Sequence, residues 1–337
     1  MARFDRVAMV LSGGDALGAY QAGAYAALEK NNVRPNWIAG SGIGAVNAAI
    51  IAGNLPHERT LHLRRFWQQL SRRAALRRPW ALRRWARRAA EHNLLVRYGP
   101  RRSRQPTRAV ISAADLRELI SEAVDFERVN SGAVRVVLGA VNLASGAETF
   151  FDNDRHVLGL DHVMAGTPLR GLAPVAIGGQ LFAGSAVSVA ALDDARPADT
   201  LCFAIDGYDP LPGSTGGVSR SAREIAAMRR THDLRRMIAL LGERVPRALR
   251  AEVDIRRCLA EGSDATMTIL HLVHEESAVD LAAKMADFSP GAVGRCWNAG
   301  EGDVAASLAH PRWLAPPPRL SGVVVHEVRD GVVAPPR

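Results

Sequence analysis

Two strand-turn-helix units at the start of the chain constrain its fold more than any other feature. Residues 6–11 form a short apolar run that ends in a Ser-Gly-Gly turn, and small apolar residues follow at helical spacing over 18–30. The same order returns with an apolar run at 37–39 and a helical pattern over 43–52. Strands that alternate with helices favour a parallel sheet covered on both faces. The sequence therefore predicts an α/β fold with a mostly parallel central sheet and helices on both sides.

Later segments continue this pattern and then become mostly helical. Apolar runs and one Gly-Gly pair predict further strands and a hairpin at 134–141, 148–151, 175–182 and 201–205. A flexible stretch rich in glycine and serine follows at 212–217. Beyond it the pattern predicts helices over 219–241, 246–259, near Leu281 and over 290–308, with a strand over 266–273.

The length of 337 residues fits one large α/β domain with an appended segment. We expect a first domain over 1–210, into which an arginine-rich helical cap is inserted over 59–108. A mostly helical extension is expected over 211–337.

A glycine stands where the second unit would be expected to carry a nucleophile. Gly40 and Gly44 match the outer glycines of a G-x-S-x-G elbow, a sharp turn that presents a serine to an acyl carbonyl. This alignment leaves Gly42 at the central position. Because glycine has no hydroxyl group, the turn keeps the layout of a serine hydrolase site without its reactive atom.

The two glycine motifs, in this order and spacing, resemble those of the patatin-like phospholipases. The first motif is Leu11-Ser12-Gly13-Gly14 followed by Gly18-Ala19-Tyr20-Gln21-Ala22-Gly23, and the elbow is the second. The segments Trp297-Asn298-Ala299-Gly300 and His310-Pro311-Arg312-Trp313-Leu314 resemble the extension of a bacterial subgroup. The resemblance implies a variant of the α/β-hydrolase fold. It also implies hydrolysis of lipid acyl esters by a Ser–Asp dyad, with a glycine loop that holds the oxyanion.

The expected oxyanion loop departs from the family pattern G-G-G-x-R/K-G. Gly13, Gly14 and Gly18 match family glycines, but Asp15 stands at the third glycine and Leu17 at the basic residue. Such a loop directs backbone N–H groups at the developing oxyanion. A carboxylate at Asp15 would oppose that negative charge, so we expect a weakened oxyanion hole.

The catalytic aspartate of the family is also missing. The resemblance aligns its D-G-G motif with Ala183-Gly184-Ser185, so Ala183 stands where an aspartate would accept the serine proton. Val189 and Ala191 match the asparagine and proline of the N-x-P segment that follows. An alignment shifted toward Asp193-Asp194 is the alternative, and it still leaves no serine at the elbow.

Ser41 is the fallback nucleophile. It lies one position before the apex of the turn, so its side chain is expected to leave in a different direction, and a structural role is favoured. The histidines offer no clear partner. His162 is expected to make structural hydrogen bonds, and His271 and His274 flank a predicted strand end.

The segment 59–108 is strongly basic, with sixteen arginines and a single acidic residue, Glu91. Guanidinium groups bind phosphate and indoles favour the headgroup level of a bilayer, so contact with an anionic membrane surface is expected. The residues proposed for this contact are Arg64, Arg65, Trp67, Arg83, Arg84 and Trp85. A solvated helical hairpin whose arginine stems and tryptophans pack on the core is the alternative. No recognisable nucleic-acid motif accompanies the arginines, so no nucleic-acid partner is expected.

Other features exclude several classes of protein. Cys202, Cys258 and Cys296 are far apart and form no CxxC pair or Cys/His cluster, so reduced thiols are predicted and neither a metal nor a cofactor is expected. No apolar run is long enough to span a bilayer, and the first residues lack a signal-peptide pattern. We therefore expect a cytoplasmic protein, with peripheral contact to the inner membrane under the membrane hypothesis.

Together these features predict a lipid acyl hydrolase homologue that has lost its Ser–Asp dyad. We expect a pseudoenzyme that binds a lipid or fatty-acyl ligand at an anionic membrane surface. Two alternatives stay open: an active serine esterase that uses Ser41 or an unrecognised nucleophile, and an arginine-driven nucleic-acid binder.

Overall fold

A computed structural model gives the fold and describes most of the chain. The described residues are 4–77, 111–167, 169, 172–184, 189–192, 198–206, 220–274, 284–310, 313, 315, 317–318, 320–329 and 332–333.

An eight-stranded sheet forms the centre of the described fold. Its strands are β1 (Arg6–Ser12), β2 (Trp37–Gly40), β3 (Arg135–Val141), β4 (Glu148–Asp152), β7 (Thr200–Asp206), β8 (Met267–Val273), β9 (Val323–Arg329) and β10 (Val332–Val333). The spatial order is β10-β9-β8-β7-β1-β2-β3-β4, and only the two edge pairs, β3–β4 and β9–β10, are antiparallel. A separate hairpin consists of β5 (Val175–Ile177) and β6 (Gln180–Phe182). The predicted α/β fold with a mostly parallel central sheet is confirmed.

Helices cover both faces of this sheet. They are α1 (Gly18–Lys30), α2 (Ile43–Ala52), α3 (Arg59–Arg77), α4 (Ala113–Ala123), α5 (Phe126–Asn130), α6 (Leu160–Ala165), α7 (Arg220–Gly242), α8 (Val253–Ala260) and α9 (Pro290–Ala309). Along β1, Met9 and Leu11 join the larger core with α1, α2, α3 and α9, whereas Ala8 and Val10 pack with α7 on the other face. This alternation is what a strand buried on both faces requires.

Helix α9 packs directly against α1 because glycines remove the side chains at the contact. A Cβ at Gly23 would meet the backbone of Trp297, and a Cβ at Gly300 would meet the carbonyl oxygen of Tyr20. Tyr20 also donates its hydroxyl to Asp303 at 2.6 Å. The last long helix is therefore held to the first by backbone contact and a buried hydrogen bond.

The boundary expected near residue 210 lies between two paired strands. β7 pairs in parallel with β8 along its whole length, and β8 pairs with β9. The segment after residue 210 therefore completes the sheet that begins with β1, and it is not a separate helical layer. β9 was not expected from the sequence, and the helix expected near Leu281 lies outside the described residues.

No helix in the described part of the chain combines the length and the apolar character that crossing a bilayer requires.

Gly300→Ala should destabilise the protein, because the new methyl group would overlap the Tyr20 carbonyl and force α9 away from α1. Overpacking of this kind typically lowers the free energy of unfolding by about 1–3 kcal/mol. Urea denaturation followed by circular dichroism would measure the loss.

Gly302→Ala on the same helix is the matched control. A Cβ at Gly302 meets no atom within 4 Å, so this change should raise the free energy of unfolding by about 0.5–1 kcal/mol through helix propensity. Equal stability of the two variants would contradict the close packing of α1 and α9.

Candidate functional site

The turn between β2 and α2 has the backbone of a nucleophile elbow. Gly42 has φ 62° and ψ −143°, a combination that residues with side chains rarely adopt and glycine adopts without strain. Its N–H donates to the Gly166 carbonyl at 2.5 Å, and its own carbonyl accepts from the Thr167 hydroxyl at 3.0 Å. The loop after α6 therefore fixes a sharp strand-to-helix turn whose apex has no side chain.

The outer glycines let this turn lie close to β1. A Cβ at Gly40 would meet the Gly44 carbonyl, and a Cβ at Gly44 would meet the Leu11 carbonyl. Both contacts are with backbone, which cannot move aside cheaply in a packed core. The spacing of the two glycines is thus required by how β1, β2 and α2 meet.

The glycine loop after β1 lies directly on the elbow. The Gly13 N–H donates to the Ser41 carbonyl at 3.0 Å. A Cβ built on Gly42 would lie 2.8 Å from the Gly13 Cα, closer than a side-chain carbon normally approaches a neighbour. A serine at position 42 would therefore have to displace the loop. The Gly13 N–H, which could otherwise face an oxyanion, is already used within the protein.

The rest of the loop turns into α1 through left-handed backbone. Gly14 has φ 105° and Asp15 has φ 48°. Asp15 is half-buried and begins a short 3-10 turn that ends at Leu17. Gly18 opens α1 where a Cβ would overlap the Ile43 side chain. The loop thus carries a carboxylate at the position that the sequence comparison aligned with a glycine.

The position expected for the base carries only a methyl group. Ala183 follows β6, and its N–H donates to the Val141 carbonyl at 3.1 Å, at the carboxyl end of β3. Gly184 has φ 104°, which suits the first glycine of a D-G-G motif. Because β3 is parallel to β2, Ala183 and Gly42 belong to the same edge of the sheet. The alternative pair Asp193-Asp194 lies outside the described residues.

Comparison with known protein families identifies the chain. A family model described as patatin-like phospholipase matches residues 9–195, more than half of the chain. The chain belongs to the patatin-like phospholipase family. A second model, described as patatin phospholipase, matches residues 218–320 of this patatin-like protein, and the resemblance predicted from the glycine motifs is confirmed.

Solved structures give more distant similarities. VipD from Legionella pneumophila is 12% identical, with a TM-score of 0.31, over 88% of this chain and 67% of VipD. A chain in the complex of full-length SpcU with full-length ExoU, from the type III secretion system of Pseudomonas aeruginosa, is 21% identical with a TM-score of 0.29. That match covers 67% of this chain and 50% of the other, so this patatin-like protein spans half of its length. No curated protein gives a significant match. The family assignment therefore rests on the two family models.

Ser41 of this patatin-like protein is buried beneath the turn. Its side chain is 1% exposed, and its carbonyl accepts from the N–H groups of Gly13 and Gly44, each at 3.0 Å. A nucleophile must reach its substrate, so this position does not suit attack on an ester. His162 accepts from the Gly159 N–H at 3.0 Å through Nδ1, and burial lowers the pKa of His162. This contact agrees with the structural role predicted for His162.

A buried polar network holds the glycine loop in place. Gln21 donates through Nε2 to the carbonyls of Ser12 at 2.9 Å and Gly13 at 3.2 Å. Asn47 of α2 donates to the Gln21 side chain at 3.1 Å and accepts from the Trp67 indole N–H at 3.1 Å. The network was not recognised in the sequence, because its members lie on three different helices.

The network also corrects one residue of the proposed membrane surface. Trp67 is 1% exposed and hydrogen-bonded to Asn47, so its indole belongs to the core and not to a bilayer interface. Arg64 and Arg65 of α3 are exposed, as the hypothesis requires. The other three residues named for this contact, Arg83, Arg84 and Trp85, lie outside the described residues.

A buried histidine–carboxylate pair was also not recognisable in the sequence. His271 Nε2 lies 2.7 Å from Asp206 Oδ2, at the carboxyl end of β7, and both side chains are buried. By strand alternation the pair shares the α7 face with Cys202 and Ala204, whereas α1 and α2 cover the other face. The pair is therefore not placed to serve Gly42. Within the described residues, no cluster of three or more His, Cys, Asp or Glu side chains is arranged to bind a metal ion.

Gly42→Ala should destabilise the protein more than Gly146→Ala does. Both glycines have positive φ, 62° and 70°, so each alanine strains the backbone by about 1–3 kcal/mol. Only at position 42 does the methyl group also meet Gly13, because a Cβ at Gly146 meets no atom within 4 Å. Thermal unfolding of the two variants compares this crowded position with an open one. Equal losses of stability would show that the glycine loop moves aside freely.

Proposed function

We propose that this patatin-like protein binds lipid or fatty-acyl ligands without hydrolysing them. One observation carries the proposal: the apex of the elbow is Gly42, and the Gly13 Cα lies 2.8 Å from where a side chain would begin. Acyl transfer in this family needs a hydroxyl at that point, so the first chemical step has no nucleophile.

The other parts of the expected machinery are altered in the same direction. Ala183 offers no carboxylate to accept a proton, and the Gly13 N–H donates to Ser41 instead of facing a substrate. Removal of a single oxyanion donor typically lowers turnover about 100- to 1,000-fold, and loss of a nucleophile about a million-fold. Changes at Gly42, at Ala183 and at Asp15 of the oxyanion loop support loss of hydrolysis better than a single change would.

The family relationship supports a lipid as the ligand. Patatin-like phospholipases act on lipids, and this chain retains the turn, the glycine loop and the network that position the site. Binding of a ligand, unlike its hydrolysis, does not require the missing hydroxyl. The exposed guanidinium groups of Arg64 and Arg65 support docking at an anionic leaflet, each adding about 1 kcal/mol near such a surface. Under this proposal the protein is cytoplasmic and peripheral at the inner membrane.

The alternative of an active esterase needs Ser41 or another nucleophile. The burial of Ser41 counts against it, since a substrate could reach that hydroxyl only if the elbow opened. Nucleic-acid binding rests on net charge alone, because +9 at pH 7 is compatible with both nucleic acid and an anionic membrane.

Gly42→Ser alone should not create ester hydrolysis. The new hydroxyl would meet neither a base at Ala183 nor a free N–H at Gly13. Turnover of p-nitrophenyl butyrate and labelling by a fluorophosphonate probe would be measured for the native protein and the variant. For both proteins, turnover should equal that of a sample without protein, and no labelling should be detected.

Ser41→Ala is the control for this experiment. A labelled peptide that contains Ser41 and disappears in the Ser41→Ala variant would overturn the proposed loss of hydrolysis. Measurable turnover from Gly42→Ser would show that a base and an oxyanion hole are still available.

Binding to anionic vesicles should exceed binding to duplex DNA across a salt titration. Vesicles that contain phosphatidylglycerol should bind the protein, and vesicles of phosphatidylcholine alone should not. The double change Arg64→Gln and Arg65→Gln should weaken vesicle binding about fivefold per arginine. Sedimentation with vesicles and gel shift with DNA give the two affinities. Tighter, salt-sensitive binding to DNA would favour the nucleic-acid alternative and count against the membrane proposal.

A further inference from the structure

A groove of about 450 Å³ lies between α3 and α9. Small-molecule sites usually have volumes of about 300–1,000 Å³, so the groove is large enough for one ligand. Its wall includes Arg64, Trp67, Ser71 and Arg72 of α3, and Val293 and Trp297 of α9. The guanidinium groups give it a charged side, and the indoles with Val293 give it an apolar side.

Two polar side chains in this wall are buried without a partner. Ser71 is 3% exposed and Trp297 is 4% exposed. Among the described residues, neither the Ser71 hydroxyl nor the Trp297 indole N–H has a hydrogen-bond partner. Buried polar groups are nearly always hydrogen-bonded, so two exceptions in one groove call for an explanation. Because an indole N–H can only donate, the missing partner of Trp297 is an acceptor.

The charge around the groove favours an anion as that acceptor. The Arg64 guanidinium lies over the Trp297 ring, 4.4 Å from the ring centroid. The same guanidinium forms a loose ion pair with the Glu301 carboxylate, at 3.9 Å. The Arg64 side chain is 49% exposed, so it can rotate away from the indole into solvent. Pro290, at the start of α9, also lines the groove, which brings the positive end of that helix dipole to the same place.

We propose that the α3–α9 groove binds a single-chain anionic amphiphile, such as a fatty-acid carboxylate or an alkyl phosphate. Arg64 and Arg72 pair with the anionic group. When Arg64 turns off the indole, the Trp297 N–H and the Ser71 hydroxyl donate to the oxygens of that group. The alkyl chain lies against Trp67 and Val293.

This site is separate from the elbow, although the two share one side chain. Trp67 lines the groove and donates its indole N–H to Asn47 of α2. None of the groove side chains named for the anion takes part in acyl transfer. The result of the ester hydrolysis assay therefore leaves the groove proposal standing, and failure of the groove proposal leaves the hydrolysis proposal standing.

Isothermal titration of the full chain with dodecyl phosphate, dodecanoate, inorganic phosphate and dodecyltrimethylammonium tests the ligand chemistry. All ligands are kept below their micelle concentrations, so that membrane-like surfaces play no part. The two anionic amphiphiles should bind more than about tenfold more tightly than inorganic phosphate, because only they cover the apolar wall. The cationic amphiphile should not bind.

Variants locate the site. Ser71→Ala and Trp297→Phe each remove one unpartnered group, so each should weaken dodecyl phosphate binding about three- to tenfold. Ser71→Ala should also leave the melting temperature of the free protein unchanged or higher, since an unsatisfied buried group is lost, whereas a purely structural role would lower it. Trp297→Phe leaves a cavity in the core, so its melting temperature does not distinguish the two roles. Arg72→Gln should weaken binding about tenfold, and Arg247→Gln, at an exposed arginine outside the groove wall, should have no effect.

Three outcomes would overturn the proposal. Equal affinity for inorganic phosphate and dodecyl phosphate would make the groove a simple anion site. Equal weakening by Arg247→Gln and Arg72→Gln would show a general charge effect. Unchanged affinity in both Ser71→Ala and Trp297→Phe would place the ligand elsewhere, and if Trp297→Phe unfolds the protein, Ser71→Ala decides alone.

Discussion

The hydrogen bond from the Gly13 N–H to the Ser41 carbonyl is the contact on which the rest of the candidate site depends. It holds the loop after β1 against the elbow, so that the Gly13 Cα lies 2.8 Å from where the first carbon of a nucleophile would project. The same bond uses a donor that an acyl hydrolase would aim at its substrate. Only a glycine at position 42 permits this approach, so the missing hydroxyl and the closed loop are parts of one arrangement.

Hydrogen bonds from the side chains of Gln21 and Asn47 stabilise this arrangement. Their side chains connect the carbonyls of the glycine loop to the Trp67 indole across three helices. Charge-neutral hydrogen bonds in a buried network specify one geometry because a partly satisfied network is costly. The glycine loop, the elbow helix and the wall of the α3–α9 groove therefore share one hydrogen-bond network.

The sequence predicts those strands and turns that depend on the pattern of neighbouring residues. Apolar runs that end in glycine turns gave β1 and β2, and glycine spacing gave the elbow at Gly42. It does not predict contacts between distant segments. Trp67 was taken for a surface residue because the arginines around it dominate the pattern. The Asp206–His271 pair was missed because its two residues are 65 positions apart in the chain. β9 was missed because its apolar run follows a proline-rich stretch that resembles a loop. The unpartnered Ser71 hydroxyl has no sequence signature at all.

Strand β7 lies between the two segments of the chain that match family models. The first match ends at residue 195, before β7 begins, and the second begins at residue 218, after β7 has ended. The strand that neither match includes lies between β1 and β8 and joins the two halves of the sheet. A fragment cut after the first match would leave the hydrogen-bonding edge of β1 open, and such unprotected edges recruit other chains. The two matched segments thus contribute strands to one continuous sheet.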